Sequence, residues 1–109
     1  MYTKEQVLER AIRIVRKGWT QGYMARDVNG YPTEPLHANA HTWCLAGALA
    51  KAGGAADYKT DDQHRSILNQ LRAMTGEDYV SMWNDREFRT QADVIELLKK
   101  AKEEFRDVS

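Results

Sequence analysis

Apolar residues recur every three or four positions in four stretches of the chain, so the sequence predicts four helices. Capping boxes mark the starts of three helices and glycines mark the ends of two of them. In chain order these signals are Thr3-x-x-Gln6 with Gly18, Thr60-x-x-Gln63 with Gly76, and Thr90-x-x-Asp93. The faces expected to line the core are Val7, Leu8, Ala11, Ile12 and Val15, then Ile67, Leu68, Leu71 and Met74, then Val94, Leu97, Leu98, Ala101 and Phe105.

The stretch 39–54 is predicted to be the most buried helix, because it holds the highest density of small and apolar residues. We expect this helix to begin near Asn39 and to end at Gly53-Gly54, where glycine readily adopts a left-handed terminal conformation. A glycine inside a helix costs about 1 kcal/mol relative to alanine. Gly47 therefore indicates that a neighbouring element approaches the helix backbone closely.

The helical period is lost in two stretches, 19–38 and 77–89. Asn29-Gly30 is the strongest short hairpin signal in the chain. Pro32 and Pro35 cannot donate to a strand ladder, which limits any second strand to a short one at an edge. We expect a small β-hairpin or a long ordered loop between the first two helices, with no larger sheet, and an irregular second stretch.

The predicted fold class is mainly α, with a compact four-helix domain and one small hairpin or loop. The chain has 109 residues, which fits a single domain covering 1–109. Repeats, low-complexity tracts and linkers long enough to divide it are not found. We expect the two irregular stretches to meet near the start of the central helix.

Composition narrows the classes of function. Sixteen basic and sixteen acidic side chains cancel, so nucleic acid is not expected as a primary ligand. No apolar run approaches the roughly 20 residues of a membrane span, and the first residues lack the layout of a signal peptide. A single cysteine fits a reducing compartment. We expect a cytoplasmic protein without membrane contact and without a cofactor.

His37, His41 and Cys44 form the pattern H-x3-H-x2-C, which would place three zinc ligands on one face of a continuous helix. Asp85 or His64 would supply a fourth ligand. The predicted helix begins after His37, however, and three such residues within eight positions are a weak metal pattern. We therefore expect no metal site.

Cys44 is also a candidate catalytic nucleophile. It is predicted to lie near a helix N-terminus, and this position lowers the pKa of a thiol. His41 or His37 would act as the base, and Asn84 or Asp85 would orient it, as in Cys-His-Asn hydrolases. No glycine-rich nucleophile turn surrounds Cys44. A small buried side chain packed beside the central glycine is the favoured interpretation.

The three tryptophans, Trp19, Trp43 and Trp83, lie in or beside the irregular stretches and are expected to tie these to the helices. The alternative is a recognition groove, since Trp, Tyr and Arg dominate binding hot spots. Asn84-Asp85 is typical of a turn or cap. The sharper alternative is a buried Asp that pairs with Arg26 or Arg86 and fixes the two irregular stretches. The candidate binding residues are Trp19, Tyr23, Arg26, Asp27, Tyr31, Trp83, Asn84, Asp85 and Arg86.

Three motifs carry a resemblance across most of the chain, from about Val7 to Ala101. They are Ala25-Arg26-Asp27-x2-Gly30, Ala40-x2-Trp43-Cys44-x2-Gly47-Ala48-Leu49, and Trp83-Asn84-Asp85 followed by Thr90, Val94 and Leu98. In these the chain resembles a domain-of-unknown-function family of small proteins from bacteria and their phages. The resemblance implies that the residues Arg26, Asp27, Trp43, Cys44, Gly47, Trp83, Asn84 and Asp85 belong to one arrangement. It implies no reaction, and the two histidines before Cys44 are not part of the pattern.

The sequence favours a small binding module with a protein partner over an enzyme, because no convincing catalytic set is present. The family resemblance suggests a narrower hypothesis, an inhibitor of a bacterial defence complex such as an anti-CRISPR protein. Two alternatives remain open. One is a small cysteine-dependent hydrolase or transferase using Cys44, with His41 and Asp85 as candidate partners. The other is a homodimeric structural protein, for which Ile14 and Ile95 lie off the main helix faces.

Overall fold

A computed structural model of the chain describes residues 2–54 and 61–108. Within these residues the fold is mainly helical, with five helices and a small three-stranded antiparallel sheet. The elements in chain order are α1 (Lys4–Lys17), β1 (Ala25–Arg26), β2 (Pro32–Thr33), β3 (Thr42–Trp43), α2 (Leu45–Gly53), α3 (Asp62–Thr75), α4 (Val80–Asn84) and α5 (Gln91–Val108).

Helix α1 has the start, the end and the buried face that the sequence predicts. The Thr3 side chain accepts from the Gln6 amide, and the Gln6 side chain accepts from the Thr3 amide, which completes the capping box. Gly18 caps the other end with an extended backbone. The buried residues of α1 are Val7, Leu8, Ala11, Ile12 and Val15, which are the five predicted ones.

The other two capping predictions have different outcomes. Helix α5 is preceded by a reciprocal box, in which the Thr90 amide donates to the Asp93 carboxylate and the Asp93 amide to the Thr90 hydroxyl. Helix α3 is capped instead by Asp61, whose carboxylate accepts from the Gln63 amide. Thr60, the predicted cap, lies outside the described residues. At the far end of α3, Gly76 has the predicted left-handed conformation, with φ of 74°.

The central helix starts later than predicted, at Leu45 and not near Asn39. The preceding residues form β3, because Thr42 and Trp43 pair with β1 and the Trp43 amide also donates to the Gly18 carbonyl at 3.1 Å. Cys44 is therefore the N-cap of α2, and its sulfur accepts from the Gly47 amide at 3.4 Å. The predicted end is confirmed, since Gly54 is left-handed with φ of 68°.

The predicted hairpin is present but belongs to a larger sheet than expected. β1 lies between β2 and β3 and is antiparallel to both. In the turn, the Gly30 amide donates to the Asp27 carbonyl, the Asp27 amide donates to the Tyr31 carbonyl, and Gly30 is left-handed with φ of 86°. This is a three-residue loop with glycine in the left-handed position. The third strand was not expected because its partner segment is distant in the chain.

The outer edge of the sheet is blocked at β2. Asp27 and Tyr31 share a backbone hydrogen bond, so the next pair, Arg26 and Pro32, is the one whose backbone groups point away from each other. Pro32 therefore faces the outer edge, where it has no N–H to offer to a further strand.

The stretch 77–89 contains a fifth helix, α4, which corrects the prediction of four helices and an irregular segment. Two of its five residues, Val80 and Asn84, face inward and are buried. Five residues cannot display a helical period, so the hydrophobic pattern gave no signal for this helix.

The core is built around α1, which makes its most extensive contacts with α5 and α2. α2 contributes the most uniformly buried surface, with Leu45, Ala48, Leu49 and Ala52 in the shared cluster. Ile14 and Ile95, on which the homodimer hypothesis depends, are partly buried and pack against the same cluster. Among the described residues, no helix combines the length and apolar character needed to cross a membrane.

Candidate functional site

Asn84 is the only buried polar residue in the described core, and its side chain joins three parts of the chain. The amide oxygen accepts from the Trp19 indole N–H at 2.8 Å and from the Leu45 backbone N–H at 3.0 Å. The amide nitrogen donates to the Thr20 carbonyl at 3.1 Å and to the Asp85 carboxylate at 2.9 Å. Because Leu45 is the first residue of α2, Asn84 satisfies one of the amides that a helix start leaves unpaired.

Two neighbours of Asn84 extend this connection to the surface. The Asp85 carboxylate accepts from the Gly22 amide at 3.0 Å. The Gln21 side chain donates to the Asn84 and Arg86 carbonyls, at 2.9 Å each. The segment after α1 is thus fixed to α4 through side chains on both segments.

Asp85 is exposed and does not form the buried ion pair that the sequence left as an alternative. Its carboxylate accepts from the Gly22 backbone N–H and from the Asn84 side-chain amide, while Arg86 pairs with Glu77. Arg26 donates instead to the Thr20 hydroxyl and to two backbone carbonyls. The alternative of an Asp85–Arg26 or Asp85–Arg86 pair is therefore wrong.

Arg26 and Asp27 organise the hairpin. The guanidinium of Arg26 reaches the carbonyls of Gln21 and Gly30 and stacks over the Tyr23 ring, 4.6 Å from its centre. The Asp27 carboxylate accepts from two amides within the turn, at 2.9 and 3.0 Å. These two residues hold the shape of the segment, and the exposed rings of Tyr23 and Tyr31 are carried by it.

Gly47 is where the hairpin backbone meets α2. A Cβ at this position would lie 1.9 Å from the Met24 carbonyl oxygen, which no side chain can tolerate without a shift of the backbone. The same oxygen accepts from the Cys44 amide at 3.0 Å. The close approach inferred from Gly47 is therefore made by the strand segment that leads into β1.

Cys44 is buried, with 4% of its surface exposed. Burial raises the pKa of its thiol, and the nearby Asp85 carboxylate raises it further, while hydrogen bonds from backbone amides at the start of α2 act in the opposite direction. A thiol with a raised pKa holds its proton at neutral pH, whereas a nucleophile needs the thiolate. This environment favours a structural role for Cys44 as cap and core residue.

The two candidate histidines are not brought to the thiol. The His37 ring accepts from the Asn39 amide at 3.0 Å, within the loop before β3. His41 is exposed, and its backbone amide donates to the Arg26 carbonyl. In the part of the chain that the structure describes, no group of three His, Cys, Asp or Glu residues could hold a metal ion.

The tryptophans have different environments. Trp43 is buried and donates its indole N–H to the Pro35 carbonyl at 3.0 Å, while Trp19 is half-buried and bonded to Asn84. Trp83 is half-buried beneath the Arg89 guanidinium, which lies 3.8 Å from the ring centre and donates to the Trp83 carbonyl. All three pack into or against the core, as the first interpretation predicts.

Two adjacent surface depressions lie beside Tyr23 and Met24. One, of about 480 Å³, is lined also by residues 32–35 of the hairpin. The other, of about 290 Å³, is completed by the start of α2 and by Ser81 and Asp85 of the α4 region. The hairpin and α4 thus border one surface, which we call the hairpin–α4 face, formed by 19–34 and 77–89.

Apart from Tyr2, the large exposed apolar and aromatic side chains of the described residues all belong to the two segments that form the hairpin–α4 face. The exposed fractions are 52% for Tyr23, 68% for Tyr31, 62% for Tyr79, 49% for Met82 and 72% for Phe88, and Val28 is exposed at the hairpin tip. Sequence reasoning did not single out Met82 and Phe88 as binding candidates, because an apolar residue in an irregular stretch gives no sign of whether it is buried. It also missed Gln21, which donates to backbone carbonyls 63 and 65 positions away, and Arg89, which donates to the Trp83 carbonyl.

Comparison of the chain with curated proteins and with solved structures gave no match. The sequence profile of one family does match, over residues 1–104, and this range includes every residue of the Asn84 network and of the hairpin–α4 face. The chain therefore belongs to DUF6197, a family of unknown function.

Proposed function

We propose that the protein is a small binding module that contacts a protein partner through the hairpin–α4 face. The observation that carries the proposal is that hydrogen bonds of the buried Asn84 side chain hold α4 to the segment after α1 and to the start of α2, and that both α4 and the segment after α1 adjoin exposed aromatic side chains. Asn84 itself is inaccessible and acts as a positioning residue. The contacts would be made by Tyr23, Tyr31, Tyr79 and Met82.

Two physical arguments support this assignment. Tyrosine side chains supply large contact areas while losing few rotamers, and they are enriched among the residues that dominate binding energies. Segments that are already held in place also lose less conformational entropy on binding than free loops do. The mode of contact would be through side chains, because Pro32 blocks the addition of a strand at the outer edge of the sheet.

The proposal is tested by comparing two variants that each remove exposed tyrosine rings. Tyr31→Ser/Tyr79→Ser alters the hairpin–α4 face, whereas Tyr2→Ser removes an exposed ring at the start of α1. We expect a partner recovered by affinity capture, and then purified, to bind the double variant at least about tenfold more weakly and the control with unchanged affinity. Equal binding to all three proteins would contradict the proposal.

A narrower form of the proposal is an inhibitor of a bacterial defence complex, such as an anti-CRISPR protein that blocks an effector by direct contact. Its support is the resemblance to small bacterial and phage proteins, together with a surface whose two segments are joined by the hydrogen bonds of the buried Asn84 side chain. The test is capture from a host that carries such defence systems. Recovery of chaperones alone would count against this form.

A further inference from the structure

The hairpin–α4 face carries a net negative charge although the whole chain is formally neutral. The segment 77–89 contains four carboxylates and two guanidinium groups, and the segment 19–34 contains two carboxylates and one guanidinium group. The face therefore has a net charge of three negative, and the remainder of the chain carries the compensating positive charge.

The three cations of the face already have partners within the protein. Arg86 pairs with Glu77, Arg89 stacks on Trp83 and donates to its carbonyl, and Arg26 donates to three acceptors. In contrast, the exposed carboxylates of Glu34, Asp78 and Glu87 make no ion pair or side-chain hydrogen bond with any described residue. The charge available to a partner is thus negative.

Asp78 and Glu87 are each next in the chain to an exposed aromatic residue, Tyr79 and Phe88, and Glu34 shares a depression with Tyr23. Asp78 and Glu87 each lie one residue from the Glu77–Arg86 pair, and Arg86 is held to Gln21 of the hairpin segment through its carbonyl. A partner seated on the exposed rings would therefore meet carboxylates at both the hairpin side and the α4 side.

We infer that the partner docks through a basic segment, with lysine or arginine side chains on the exposed tyrosine rings and beside Glu34, Asp78 and Glu87. This inference rests on the proposed function and specifies the chemistry of its partner. Aromatic faces attract ammonium and guanidinium groups, and carboxylates on the rim attract the same cations over a longer range. The same charge repels the phosphate backbone of nucleic acid.

The inference is tested with a library of random peptides displayed on phage and selected against the immobilised full chain. We expect the retained peptides to be enriched in lysine and arginine. Synthetic copies of them should shift the amide resonances of the hairpin–α4 face in NMR spectra of the labelled protein. Their affinity should fall as salt is raised, because exposed charges are screened.

Charge-neutralising variants provide the matched comparison. Asp78→Asn/Glu87→Gln removes two negative charges from the face, and Glu103→Gln/Glu104→Gln removes two from the exposed surface of α5. We expect the first pair to weaken binding of a selected peptide at least about threefold and the second pair to leave it unchanged. Equal effects of the two pairs would overturn the inference.

The remaining outcomes separate this inference from the proposed function. Peptides that bind the face without basic enrichment, or with affinity independent of salt, overturn the basic-segment inference and leave the binding module standing. A library that yields no peptide contacting the face counts against both. Tight binding of a single-stranded or duplex oligonucleotide at the face would also overturn the inference, because a negatively charged face should repel phosphate groups.

Discussion

The indole N–H of Trp19 donates to the buried side-chain oxygen of Asn84 at 2.8 Å, across 65 positions of sequence. The same oxygen accepts from the first amide of α2, and the amide nitrogen donates to the Thr20 carbonyl. This one side chain therefore determines how the segment after α1, the start of α2 and the end of α4 are arranged. The relative positions of these segments in turn set the shape of the hairpin–α4 face.

Replacement of Asn84 by alanine should be strongly destabilising. Asn84→Ala leaves the buried Leu45 amide, the partly buried Trp19 indole N–H and the partly buried Thr20 carbonyl without partners. A fully buried group in this situation costs about 1–3 kcal/mol. We expect a loss of about 3 kcal/mol or more in the free energy of unfolding, measured by urea denaturation. Asn69→Ala, at an exposed position of α3, should change it by less than about 0.5 kcal/mol. Similar stabilities for the two variants would show that the Asn84 hydrogen bonds contribute nothing.

The contact between Gly47 and Met24 should make Gly47→Ala destabilising, although helix propensity alone predicts that it stabilises the protein. Alanine is favoured over glycine by about 1 kcal/mol inside a helix. The Gly47→Ala methyl group, however, would lie 1.9 Å from the Met24 carbonyl oxygen, so the hairpin must move. We expect a net destabilisation of about 2 kcal/mol.

Gly53 provides the matched control within the same helix. A Cβ at Gly53 meets nothing within 4 Å, and its φ is not positive. Gly53→Ala should therefore be neutral or stabilising by up to about 1 kcal/mol. Thermal or urea unfolding of the two variants measures both values. A stabilising Gly47→Ala would mean that the Met24 carbonyl does not lie against α2.

The parts of the fold that were predicted from the sequence are those determined by local periodicity and by caps. The buried face of α1 follows from spacing alone, and the boxes at Thr3 and Thr90 need only residues three positions apart. The start of α2 could not be predicted in this way. Residues 40–44 contain no glycine or proline that would end a helix before Leu45, and pairing with β1 and Gly18 makes Thr42 and Trp43 extended.

The candidate site was predicted less completely than the fold. Trp19 and Asn84 were both selected from their residue type and position, but nothing in the sequence reveals that they bond to each other or that Asn84 is buried. An asparagine followed by aspartate is usually a surface turn. Its burial depends on α4, a helix too short for its apolar residues to form a recognisable pattern.

The half-buried His64 of α3 should make stability depend on pH in the acidic range. Desolvation lowers the pKa of its imidazole, while the Asp61 carboxylate raises it to a smaller extent. The unfolded chain, with an ordinary pKa of about 6.5, therefore binds this proton more readily than the folded chain. The stabilisation is complete above about pH 6.5 and is lost as pH falls toward the folded-state pKa.

His64→Gln isolates this contribution, because the difference in unfolding free energy between wild type and variant should change only below about pH 6.5. Asp61→Asn keeps a good helix cap but removes the nearby charge, so NMR titration should find a still lower pKa for His64. An unchanged His64 pKa in this variant would show that Asp61 does not act on the ring.

The reactivity of the Cys44 thiol distinguishes a binding module from a cysteine-dependent enzyme. Burial raises the pKa of its thiol, so we expect iodoacetamide to label the native protein slowly at neutral pH and to label it rapidly only in denaturing urea. The folded state should also lose stability in alkaline solution. Its thiol remains protonated where the unfolded thiol, with a pKa of about 8.5, ionises. This stabilisation is complete below about pH 8.5 and is lost as pH rises through the folded-state pKa.

Cys44→Ser is the control for both measurements. Serine is a better helix cap than cysteine and does not titrate in this range, so the variant should fold and should lack the alkaline loss. We expect it to bind a partner with the affinity of the wild type, because the Cys44 side chain is buried beneath the hairpin–α4 face. Rapid labelling of native Cys44, together with loss of an activity in Cys44→Ser, would instead establish the thiol as a nucleophile and make the face its substrate site.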